Sequence, residues 1–171
     1  MAWLIGRIDQ LSRWLMIAAA LCAFALMFLI MLDVMARNLN IRFYGVAEYV
    51  RATLIVIVFL QLPYAVRIRS MLNVDVFTHL IPQKGRVPVD VISSALAILF
   101  FGTITVGAFH PAVEAWLTGE YEGEGPVRVV TWPSRFAIVF GCGLAAFYYA
   151  LRIYETLKSG RVPESYVETV T

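Results

Sequence analysis

The stretch WLMIAAALCAFALMFLIMLDVMAR, Trp14 to Arg37, decides the fold. From Trp14 to Leu32 it carries no charge, and wound as an α-helix such a run crosses the roughly 30 Å hydrocarbon layer of a bilayer. Arg7 and Arg13 ahead of the alanines superficially resemble a cleavable signal. The helical pattern, however, continues into Asp33 and Arg37 without a turn-rich cleavage region, so the segment reads as a retained first span.

Working outward, the same logic covers the whole chain. Of its 171 residues 60% are hydrophobic and 15% charged, far more apolar than a soluble domain, so a bilayer is the expected solvent. The apolar runs are near helical span length, and the short alternating segments of a barrel are missing. The expected fold is therefore an all-α integral membrane protein with four transmembrane helices and interfacial amphipathic helices.

Residues 1–13 read as an interfacial amphipathic segment that turns into the membrane, with Trp3, Leu4, Ile8, Leu11 and Leu15 at helical spacing beside Arg7, Asp9 and Arg13. The spans follow at 14–35, 46–66, 88–113 and 132–154. The second takes in the turn holding Glu48 and Arg51, because its uncharged core is short, and Pro63 should end or kink it. Between the second and third spans, residues 69–83 alternate apolar and polar side chains over too short a length to cross, as an interfacial helix would. Residues 118–128 read as an acidic, glycine-rich loop in which Gly119, Gly123, Gly125 and Pro126 prevent regular structure. Pro133 suits the first turn of the fourth span, and 155–171 is a polar tail.

The formal charge of +2 is small and its basic residues dispersed, which gives no footprint for nucleic acid and reads instead as topology information. With both termini in the cytoplasm, that side holds nine basic residues and the other five. The positive-inside rule then places both tails inside and the 118–128 loop outside. Cys22 and Cys142 lie in apolar runs, with neither metal-ligand nor disulfide spacing.

The polar residues within or beside the spans are the functional candidates. Asp33 with Arg37 is spaced i, i+4, and Glu48 with Arg51 is spaced i, i+3, so each pair can share a helix face. A charge at the bilayer centre costs on the order of 2.5–3.5 kcal/mol on insertion scales, so such residues pair, face protein, or sit near headgroups. Cancelling charges point to a structural clamp; an ion pathway is the alternative. Ser93, Ser94, Thr103 and Thr105 in the third span are expected to bond their own helix, and Gln61 to hydrogen-bond between helices. His79 and His110 fall near opposite membrane faces and so cannot bracket one haem iron. No phosphate loop, nucleophile–base pair or metal cluster is visible, so neither a cofactor nor an enzymatic activity is expected. Gly102, Gly107, Gly141 and Gly143 offer small faces for close helix packing.

Taken together, Asp33 and Arg37 closing the first span, GVAEYVR at 45–51, RIRSMLNVDVF at 67–77 and TWPSRF at 131–136 make the chain resemble the small four-span membrane subunit of tripartite ATP-independent periplasmic (TRAP) transporters. It departs from many members in carrying Gly45 and Met71 where they have a tryptophan and a histidine. The resemblance implies a scaffold in the bacterial inner membrane that braces a large multi-span transport subunit. An ion gradient would drive uptake of an organic acid or related solute brought by a periplasmic solute-binding protein. It implies a clamp or subunit interface at Asp33, Arg37, Glu48 and Arg51. It also implies an interfacial segment with Arg67, Arg69, Asn73 and Asp75, and docking of the binding protein at Glu120, Glu122 and Glu124. The rival readings are a membrane anchor for a quinone- or haem-linked redox enzyme and a small independent channel or carrier.

Overall fold

A computed structural model describes residues 2–39, 45–68, 83–122 and 128–159. Four helices dominate: α1 (Ala2–Asn38), α2 (Val46–Arg67), α3 (Gln83–Thr118) and α4 (Trp132–Ser159), with a small ladder of β1 (Tyr121–Glu122) and β2 (Val129–Val130) between the last two. Each helix is long and apolar enough to cross a membrane, so the all-α, four-span expectation holds.

Two features differ from the sequence reading. Helix α1 runs unbroken through residue 13, where a turn onto the membrane surface was expected. The reason lies in two of its polar residues: Ser12 is fully buried and Asp9 is bonded to α2, so one face of this segment packs on protein while Arg7, Gln10 and Arg13 stay exposed. The 118–128 loop, expected to lack regular structure, pairs Tyr121 with Val130 and Glu122 with Val129. Gly119 makes this reversal possible. Its φ of 63° is left-handed, and the Glu120 amide reaches back to the Ala115 carbonyl at 3.2 Å, a Schellman-type stop that few side-chain-bearing residues tolerate. Residues 123–127 lie outside the described residues, as do 69–82 and 160–171, which hold nearly all of the expected interfacial helix and most of the tail.

The helices pack as a row in the order α1, α2, α4, α3. Ile57 of α2 packs with Ala19 and Leu26 of α1, while Leu62 and Val66 pack with Cys142, Ala145 and Tyr148 of α4. At 100° per residue Ile57 and Leu62 point about 140° apart, so α2 meets its two neighbours on nearly opposite sides. On α1 the buried residues Ser12, Ala19, Leu26 and Asp33 recur every seventh position, the spacing of a left-handed helix pair. Helices α2 and α4 run parallel and approach closely at Gly141, where a Cβ would collide with the Phe59 backbone carbonyl. Gly141 therefore fills the packing role expected of it. Gly102 and Gly107 do not: a Cβ on either would meet open space.

Two ends result. The hairpin end carries the α1–α2 and α3–α4 connections. The tail end carries the start of α1, the end of α2, the start of α3 and the end of α4. Between them the outer surface is apolar, with Leu117 and Val106 among the most exposed at 77% and 76%. Such a surface suits lipid or a membrane partner rather than water.

Candidate functional site: polar pins at the ends of the helix row

At the tail end, Arg67 closes α2 and grips Asp9 of α1 through two parallel bonds, Nε to Oδ1 at 2.8 Å and Nη2 to Oδ2 at 3.0 Å. The Tyr148 hydroxyl of α4 donates to the same Oδ1 at 3.1 Å. Its one proton is thereby used, so the Ser12 hydroxyl, 2.9 Å away, donates to Tyr148. Three helices meet in this cluster. The forked, charge-assisted geometry is the strong form of an arginine–carboxylate bond.

About one turn further along α4, Arg152 pairs with Asp90 of α3, Nη2 to Oδ1 and Nε to Oδ2, the latter at 3.3 Å. The Thr156 hydroxyl completes the carboxylate at 3.1 Å. The Asp90 side chain is 7% exposed and that of Arg152 19%. Removing one partner of so buried a pair would leave the other uncompensated, the costly case for ion pairs.

At the hairpin end, Arg135 in the first turn of α4 bonds Glu120 at 2.9–3.0 Å and the Pro111 carbonyl of α3 at 3.1 Å. Edge-to-face contacts of Trp116 with Trp132, centroids 4.7 Å apart, and with Phe136 pack beside it. From Arg135 to Arg152 is about 25 Å along α4, close to the hydrocarbon thickness, so the pins bracket the apolar belt.

The four residues expected to form a clamp divide unequally. Asp33 and Arg37 do pair, at 2.9 Å, but Arg37 is 67% exposed and the second Asp33 oxygen, though buried, has no hydrogen-bond partner. Glu48 and Arg51 do not pair with each other. Glu48 is half-buried on the face that Phe59 and Leu62 turn to α4, whereas Arg51 is exposed. Glu120, a candidate for docking, is paired with Arg135. Arg67, placed with the headgroup segment, bonds Asp9. Arg69, Asn73, Asp75, Glu124 and the Glu122 side chain lie outside the described residues, as does His79. Thr103, Thr105 and Ser93 bond their own helix, at the Leu99, Phe101 and Asp90 carbonyls, as expected, whereas the buried Ser94 hydroxyl has no partner.

Sequence reasoning passed over Asp9, Ser12, Asp90, Arg135, Tyr148, Arg152 and Thr156 as site residues. A usable signal existed. Asp90 and Arg152 are lone opposite charges at the start of the third apolar run and the end of the fourth, which an antiparallel hairpin brings to one depth.

Four apolar spans thus carry paired polar groups at both ends of an apolar belt. A family description covering the tripartite ATP-independent periplasmic transporters, DctQ component, matches residues 26–159. The chain belongs to this family. It is thus a multi-pass membrane protein of a family of TRAP transporter components, not of enzymes. No curated protein matches it significantly. The match begins at Leu26, so it covers the Asp33–Arg37, Asp90–Arg152 and Glu120–Arg135 pairs but not Asp9 and Ser12.

Proposed function

We propose that this chain is the scaffold subunit of a TRAP-type secondary transporter in the bacterial inner membrane. It braces the large transport subunit while a sodium or proton gradient drives uptake of an organic acid or related solute handed over by a periplasmic binding protein. The observation that carries the reading is the tail-end network. Asp9–Arg67–Tyr148–Ser12 joins α1, α2 and α4, and Asp90–Arg152–Thr156 joins α3 to α4, so four helices are tied at one level. Charged groups committed to one another in this way hold helices in register. A frame of that kind gives a moving neighbour something fixed to work against.

Both termini are assigned to the cytoplasm from the basic-residue asymmetry, which puts Glu120, Glu122 and Glu124 on the periplasmic face for contact with the binding protein. Arg67, Arg69, Asn73 and Asp75 are assigned to the inner headgroup level, with Arg67 turned inward to Asp9. Asp33, Arg37, Glu48 and Arg51 are assigned to the outer rim, where the first pair closes on itself and the second presents Arg51 outward.

The test is purification in mild detergent together with the large multi-span subunit, followed by transport in proteoliposomes. The reading expects a stable complex, uptake only when both subunits and the binding protein are present, and no flux from this chain alone. Flux from the isolated chain would overturn it in favour of an independent carrier, and a Soret band in the purified chain in favour of a redox anchor.

A further inference from the structure

Helix α2 carries a third seam that no other described helix covers. Ala47, Arg51, Leu54, Val58 and Gln61 follow one another in alternating steps of four and three. This spacing keeps residues on one face of a helix that packs against another. At 100° per residue this stripe falls between the side that meets α1 and the side that meets α4. Ala47 and Arg51 are exposed, and Leu54 and Val58 are 49% and 58% exposed.

The stripe is not a plain lipid face. Among the described residues Arg51 meets no carboxylate, and the half-buried Gln61 carboxamide makes no hydrogen bond. Gln61 lies inside the apolar belt, about 9 Å along the helix from Arg67. Acyl chains offer neither acceptors nor donors there, so an amide facing them stays unsatisfied at a cost of kcal/mol order. A neighbouring helix can supply both partners. The alternating spacing is the one α1 already uses to pack on α2.

We propose that the Ala47–Gln61 stripe of α2 is the docking seam for one transmembrane helix of the large transport subunit. That helix carries a carboxylate facing Arg51 at the hairpin-end headgroup level. About 15 Å deeper it carries a hydrogen-bonding side chain facing Gln61. The proposal rests on the scaffold reading for the identity of its partner. A lipid annulus or a second copy of this chain would be the other occupants of the seam.

The experiment places a photoreactive phenylalanine analogue at Leu54 or at Val58 in cells producing the large subunit and the binding protein. After irradiation the complex is purified in mild detergent. The expected product from both positions is a covalent adduct with the large subunit. Arg51→Glu and Gln61→Leu should each lower the large subunit recovered per small subunit by about threefold or more, as loss of an intramembrane polar contact does, while Arg51→Lys retains most of it. If the complex purifies intact but the probes label only lipid or a second copy, the seam is wrong and the scaffold reading stands. If no large subunit is recovered with the unaltered chain, the scaffold reading fails and the seam with it.

Discussion

The tail end and the hairpin end of the helix row use the same chemistry, carboxylate with guanidinium, to different effect. At the tail end the partners are distant in sequence, 58 residues apart for Asp9–Arg67 and 62 for Asp90–Arg152, and each pair joins separate helices. Hydroxyls from Tyr148 and Thr156 fill the remaining oxygen positions. At the hairpin end Asp33–Arg37 lies within one helix and Glu120–Arg135 spans one short connection, with more of each pair exposed. The tail end therefore fixes helices to one another. The hairpin end ties α4 to α3 through Arg135, pairs Asp33 and Arg37 within one helix, and leaves Arg51 facing outward.

Matched substitutions would break this contrast most sharply. Asp90→Asn is expected to lower the stability of the detergent-purified subunit by about 3 kcal/mol, because Arg152 stays buried without its counter-charge. Thermal unfolding followed by far-ultraviolet circular dichroism measures it. Tyr148→Phe removes one donor to Asp9 and the acceptor for Ser12 but leaves the ion pair, so about 1 kcal/mol is expected in the same assay. Asp33→Asn should change stability by less than about 0.5 kcal/mol, since its partner arginine is largely exposed and solvated. Equal effects of Asp33→Asn and Asp90→Asn would erase the distinction between the ends.

The same division explains what could be read in the sequence. Hydropathy is a local property, so the four spans were legible from runs such as Trp14–Leu32. Asp33–Arg37 was legible because helix geometry alone sets an i, i+4 contact. Glu48–Arg51 looked equivalent and was not: packing on α4 claims the face of Glu48, while Arg51 falls on the stripe that no described helix covers. Asp9–Arg67 and Asp90–Arg152 depend on which helices become neighbours, and apolar periodicity is silent on that choice. Gly119 correctly marked the α3–α4 reversal. The β1–β2 pairing across it depends on the Schellman stop and on Thr131, whose amide and hydroxyl both bond the Glu120 carbonyl, at 3.2 and 3.0 Å.

Gln61 marks a place where the structure departs from the local reading. The sequence suggested an interhelix hydrogen bond, and within the described residues that bond is unmade. The row arrangement turns this into a statement about another chain, because α2 keeps an open face even after α1 and α4 have packed on it.

Locking the helices to one another tests the proposed rigid frame most directly. A Cβ on Gly143 would lie 3.7 Å from the Thr105 methyl, so these positions face each other across the α3–α4 contact, and a cysteine at each is the pair for a disulfide. Thr105→Cys with Gly143→Cys, in a chain whose Cys22 and Cys142 are replaced by alanine, would be assembled with the large subunit in proteoliposomes. Uptake of the solute carried by the binding protein would then be compared with the bridge oxidised and reduced. A frame that does not move gives the same uptake rate in both states; loss of uptake on oxidation that reduction restores would contradict it.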